Sequence, residues 1–329
     1  MSRAGGDCER RLEVRPRSPV RLPGAGMDGV ARRRGGVLER LLHPGGEPVV
    51  VRAAQPAPDR LVLAARGPSR EACERGLERM CFALGVDDDL APFHRRFRDD
   101  PVIGRLIRAA PWLRPMRRPE PFEALAWAVC EQLIEYARAA AIQRRIVRRL
   151  GRRCPVSGLT DVPAPAALAA AAPALLESFD LSAGRALALV AVSREVASGR
   201  VDLHSPRPQD GWRRLRATPG IGAWTVEVLA LHGQGRWDQV PAGDLGLRKA
   251  VGRIVTGDPR ACAPTEAVRE FFAPYAPYGG LAATYALRHG GPASASGPGP
   301  GSGSGWGPAT PPARGGTRRS PLGPRRRDG

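Results

Sequence analysis

Leu215-Arg-Ala-Thr-Pro-Gly-Ile-Gly-Ala-Trp-Thr-Val-Glu-Val-Leu-Ala-Leu231 reads as two helices joined by a tight turn, Pro219-Gly220-Ile221-Gly222. Glycine allows positive φ and leaves no Cβ between the backbone and a partner. Gly222 stands directly before the second helix, whose free N–H groups and positive dipole end make an anion site. Its natural ligand is a phosphate oxygen of a nucleic-acid backbone, a contact that positions without reading sequence. Ile221 is expected to pack inward and lock the two helices together. A bare G-x-G is a weak signal; the whole L-x-x-x-P-G-I-G-x-W-T string is far more specific.

Charge points the same way. The 329 residues hold 51 Lys+Arg against 32 Asp+Glu, a net +19, which favours a polyanion. Nucleic acid is preferred over a membrane surface because no basic amphipathic helix stands out. Lys249 is the only lysine and asparagine is absent, as a GC-rich coding composition would produce. That accounts for arginine in place of lysine, not for the excess of positive charge. The 40 Gly and 34 Pro show no collagen period. No apolar stretch is long enough to span a bilayer, and no apolar region marks a secretory signal. Cys8, Cys73, Cys81, Cys130, Cys154 and Cys262 form no C-x2-C pair, so neither a zinc site nor an iron–sulfur cluster is expected. The compartment expected is reduced and intracellular: the cytoplasm, in association with the nucleoid.

Four segments are expected. Residues 1–35 and 291–329 are Arg-rich tails of net +5 each, too poor in apolar residues to offset the entropy of ordering, which leaves +9 on the folded part. Residues 36–100 read as a small α/β domain. Short β-prone runs lie at 48–53 and 60–65, and a helix capped by Ser69 runs to about Leu84. Residues 101–290 read as helical, with Phe122–Leu150 as one long run. The fold class is mainly α (α+β).

The hairpin resembles that of the DNA glycosylase superfamily that includes endonuclease III. That superfamily follows its hairpin with a Gly/Pro-rich loop and an aspartate at the start of a helix. Val240-Pro-Ala-Gly-Asp244-Leu-Gly-Leu-Arg248 is similar, and Asp244 falls 22 residues after Gly222. Phe122-Glu-Ala-Leu-Ala-Trp-Ala-Val-Cys-Glu-Gln132-Leu133-Ile134 resembles an upstream helix of the family, and Phe179–Leu189 the next one. The α/β unit looks like the N-terminal domain of the DNA-3-methyladenine glycosylase II branch, so the resemblance covers roughly 36–290. It implies a monomer that binds double-stranded DNA through Pro219, Gly220, Ile221, Gly222, Thr225, Gln132 and Leu133. No catalytic metal is implied, though a monovalent cation between hairpin carbonyls and a phosphate is.

Bifunctional members carry a nucleophilic lysine where this chain has Trp224. An amine there forms a Schiff base, and an indole cannot. The resemblance therefore implies a monofunctional glycosylase for alkylated bases of the 3-methyladenine type. Breaking the N-glycosidic bond passes through a cation-like sugar, which a carboxylate stabilises. Asp244 is the candidate, its charge favoured by the helix dipole, with Asp238 as a competitor. Trp224 would wall the pocket of the flipped base and attract a cationic purine. Leu133 is the candidate to fill the gap in the stack, and Tyr278 a further pocket aromatic. This chain departs from the pattern at Val228, Leu245 and Glu131, where the branch has two aromatics and a glycine. A glycosylase for deaminated or oxidised bases, or a non-catalytic hairpin protein that binds DNA, stay open as alternatives.

Overall fold

The computed structural model describes residues 8–288. The tail expected over 291–329 lies outside these residues. The one expected over 1–35 is corrected from Cys8 onward. β1 (Cys8–Val14) and β2 (Ala31–Arg34) are strands, and Val20, Leu22 and Val30 between them are buried. A count of apolar side chains missed this because the gain is in backbone pairing with a sheet that already exists. Arg32 is accommodated by an ion pair to Glu39 at 2.7 Å.

The sheet continues with β3 (Val37–Leu42), β4 (Val49–Ala57) and β5 (Arg60–Gly67) in the antiparallel order β1-β5-β4-β3-β2, with Leu12 opposite Leu63. Alternation along β4 buries Val49, Val51 and Ala53. Against them packs α1 (Arg70–Leu84), whose Ser69 cap accepts from the Ala72 N–H at 3.1 Å. Gly76 permits the close approach, since a Cβ there would come within 2.8 Å of Val49 Cγ1.

Two helical halves follow. The first holds α4 (Pro121–Glu131), α5 (Tyr136–Leu150), the two-residue strands β6 (Arg152–Arg153) and β7 (Thr160–Asp161), α6 (Pro165–Ala169), α7 (Pro173–Glu177), α8 (Ala183–Ala197), α9 (Gln209–Arg216) and α10 (Ala223–Val228). Its core includes Trp127, Ile142, Leu189, Leu215, Ile221 and Leu229. The second is built from α2 (Ala91–Phe97), α3 (Gly104–Ala109), α11 (Leu245–Thr256), α12 (Thr265–Phe272) and α13 (Gly279–Ala286) around Phe93, Phe97, Leu247, Phe272 and Tyr285. Residues 90–100 thus pack with this helical half, and the expected boundary at 100 moves back ahead of Leu90. The long helix expected over Phe122–Leu150 is also corrected, because Gln132–Glu135 break it into α4 and α5. Among the described residues no helix is long and apolar enough to cross a membrane.

Candidate active site

The hairpin joins α9 to α10. Gly220 has φ +83°, and the Ile221 N–H donates to the Thr218 carbonyl at 3.1 Å. Ile221 is buried, while Pro219, Gly220 and Gly222 are exposed. Apolar packing therefore anchors the turn and leaves its backbone open to a ligand. Gly222 caps α10 in an extended conformation, and a Cβ there would meet nothing within 4 Å.

The break between α4 and α5 is what reaches this hairpin. Gln132 Nε2 donates to the Gly220 carbonyl and to Thr225 Oγ1, both at 2.9 Å. Arg185 of α8 holds the same break from behind, donating to the carbonyls of Cys130 (3.0 Å) and Gln132 (3.3 Å). Leu133 then adopts φ +57°, a left-handed conformation unfavourable for an L residue by about 1–2 kcal/mol. Its side chain stands wholly in solvent at 104% exposure. Two costs thus coincide on one residue, backbone strain and an unburied leucine. Such outliers persist where the surroundings over-determine them.

Asp244 comes from the other helical half. It caps α11, its Oδ1 accepting from the Leu247 N–H at 2.8 Å. The loop ahead of it packs against Trp224: a Cβ on Gly243 would lie 3.4 Å from that of Trp224. Trp224 is half-buried, and its buried indole N–H has no acceptor at bonding distance, though it helps to hold the Asp244 carboxyl down. Burial is the largest influence on that carboxyl and raises it above the usual carboxylate range. The Leu247 and Gly246 N–H groups oppose this without cancelling it. Desolvation thus outweighs the helix terminus, against the expectation from the dipole alone.

The remaining candidates separate. Tyr278 packs its ring on Phe93 (5.6 Å) and Trp237 (6.4 Å) at the second core. Asp238 pairs with Arg236 at 3.0 Å. Burial would raise its carboxyl, but the bonds from Arg236 and Gln239 outweigh that and hold it low. Lys249 is exposed on α11. Val228 is buried and Leu245, beside Asp244, is half-exposed, so neither adds an aromatic wall. Among the described residues no cluster of three or more His, Cys, Asp or Glu could hold a metal. Sequence reasoning missed Arg185, whose role depends on the break in the helix. It also missed the buried ion pairs from Arg118 to Asp28 (3.0 Å) and Glu123 (3.3 Å) beneath the site.

No protein-family model matches the chain. It is 32% identical over 139 residues to DNA-3-methyladenine glycosylase 2 of Escherichia coli, covering 40% of this chain and 48% of that protein. It is 27% identical over 167 residues to DNA-3-methyladenine glycosylase of Bacillus subtilis, covering 49% and 55%. The chain thus spans about half the length of these curated relatives. The 3-methyladenine DNA-glycosylase from Archaeoglobus fulgidus has the same fold, with a TM-score of 0.73, 21% identity, and coverage of 84% of this chain and 97% of that one.

Proposed function

We infer that this chain, which belongs with the helix-hairpin-helix DNA glycosylases on the DNA-3-methyladenine glycosylase II branch, excises alkylated bases from duplex DNA and leaves the abasic backbone intact. The observation that carries this reading is the packing of the loop directly ahead of Asp244 on Trp224, which brings the cap of α11 to the hairpin helix α10. The hairpin N–H groups hold a phosphate, and Leu133 enters the stack as the damaged nucleotide turns out. The indole face of Trp224 attracts the cationic base. The Asp244 carboxylate stabilises the positive sugar as the C1′–N bond opens and orients the water that completes hydrolysis. A monovalent cation would sit on the free lone pairs of the Thr218 and Gly220 carbonyls, each of which already accepts one hydrogen bond. The protein acts as a monomer on nucleoid DNA in the cytoplasm.

The test is incubation with duplex DNA carrying one alkylated base. Free base and alkali-labile sites are expected, with no strand scission and no borohydride-trapped adduct. Trapping would overturn the monofunctional reading, and absence of base release would favour a non-catalytic DNA-binding protein. Leu133→Gly separates folding from function. Its stability should stay within about 1 kcal/mol of the parent, because glycine accepts the positive φ. Single-turnover base release should slow by about tenfold or more, with the reaction least affected where the target base is already unpaired.

A further inference from the structure

Trp224 and Glu227 stand three residues apart on α10, and so on one face of it. At Trp224 that face meets the loop leading to Asp244: a Cβ on Gly243 would lie 3.4 Å from the Trp224 Cβ and 3.7 Å from its Cδ1. One turn further along, Glu227 meets the second helical half again. Its Oε1 accepts from an Nη2–H of Arg269, on α12, at 2.7 Å. Among the described residues this is the one ion pair that joins a helix of the first half to a helix of the second.

We propose that Arg269 is a positioning residue for the site: through Glu227 it fixes how α10 is turned against the second half, and so keeps Trp224 against the loop that ends in Asp244. One contact sets how closely two bodies approach and leaves them free to roll about it. A second contact, one turn away, removes the roll. The chemistry of this second contact suits that task. Glu227 is 8% exposed, and its other carboxyl oxygen is buried without a donor. Arg269 is therefore the only hydrogen-bond donor to this carboxylate among the described residues. Apolar surfaces tolerate sliding, but a carboxylate drawn off its one donor is left as buried, unpaired charge. Arg269 has 41% of its side chain exposed and gives up little hydration in pairing. The other anion beside it, Glu266, is 3.9 Å from its Nε and 80% exposed, and so competes weakly.

The effect on base release rests on the glycosylase reading above, and the effect on register does not. Arg269→Gln takes away the charge, so the Glu227 carboxylate must draw in water and the two halves part more often. Amide hydrogen exchange of the free protein should then rise about tenfold over residues 240–247 and stay at the parent rate in α8, inside the first core. Well below the melting temperature, with protein in excess over duplex, release of an alkylated base should slow about tenfold, because the closed register is less populated. Affinity for undamaged duplex should change by less than about twofold, since the hairpin keeps its bonds from Gln132. Arg269→Lys, which restores a cation, should return release to within about threefold of the parent.

Glu227→Gln leaves no buried charge, so it reports even if Arg269→Gln fails to fold. It should show the same pattern at about threefold, because a neutral acceptor holds the guanidinium about half as strongly. Exchange unchanged over 240–247, exchange raised alike in α8, or release at the parent rate in a folded variant overturns the role of Arg269 and leaves the glycosylase reading standing. A parent that releases no base, with exchange as expected in the variants, overturns the glycosylase reading and leaves Arg269 as the residue that sets register.

Discussion

Asp244→Asn should slow single-turnover base release by on the order of 10²–10³-fold while leaving duplex affinity unchanged, because the charge that meets the cation-like sugar is gone and the hairpin is untouched. The same substitution should not weaken the fold. Asparagine caps a helix about as well as aspartate, so the bond from the Leu247 N–H is retained. The parent carboxyl is raised by burial in the folded state. The native protein therefore binds this proton more tightly than the unfolded chain, and stability falls as pH rises between the unfolded and folded pKa values. The variant lacks this dependence, so above that window its melting temperature should equal or exceed that of the parent. A pH series of thermal melts beside a base-release assay checks both halves. Parent activity should also be lost on acidification at a higher pH than an ordinary carboxylate would set. An active variant, or one that melts earlier, contradicts the burial argument.

Arg40→Met should cost the most stability, about 3–5 kcal/mol, by leaving buried charge uncompensated. Arg40 lies on β3 with 6% of its side chain exposed, and its guanidinium meets the fully buried Glu123 of α4 at 2.7 and 3.3 Å. Asp161 lies 3.9 Å away. The pair ties the sheet to the helix whose far end carries Glu131, Gln132 and Leu133. Arg118 still reaches Glu123 at 3.3 Å, which places the loss toward the lower end of that range. The double variant Arg40→Met/Glu123→Met should recover most of the loss, since Asp161 keeps Arg152 and Arg118 keeps Asp28. Denaturant midpoints of the parent, both singles and the double decide it. A double variant as unstable as Arg40→Met would mean that packing, not unpaired charge, carries the effect.

What could be read from the sequence was local in origin. The Pro219–Gly222 turn, the Ser69 cap and the alternation of Val49, Val51 and Ala53 are set by neighbours in the chain. The break after Glu131 was not legible. Nothing in Gln132-Leu133-Ile134-Glu135 marks a turn, and the chain turns there because Arg185 and the hairpin take its backbone and side-chain bonds. The strand at Cys8–Val14 was hidden by its arginines, since its partner β5 lies some fifty residues ahead in sequence. Asp244 was legible as a cap, but the direction of its pKa was not, because burial is set by the folded surroundings and not by neighbours in the chain.

Trp224 stands on α10, whose Val226 lies in one helical core, and Asp244 caps α11, whose Leu247 lies in the other; the chain between them runs through Gln234–Gly243. The proposed site is therefore a property of a seam, not of either body. A seam loosens before the bodies it joins, because opening it exposes less apolar surface than melting a core. On warming, or in low concentrations of urea, the proposed base release should cease at a lower midpoint than the one at which the helices melt. Its usable temperature range is then governed by how two intact halves keep register.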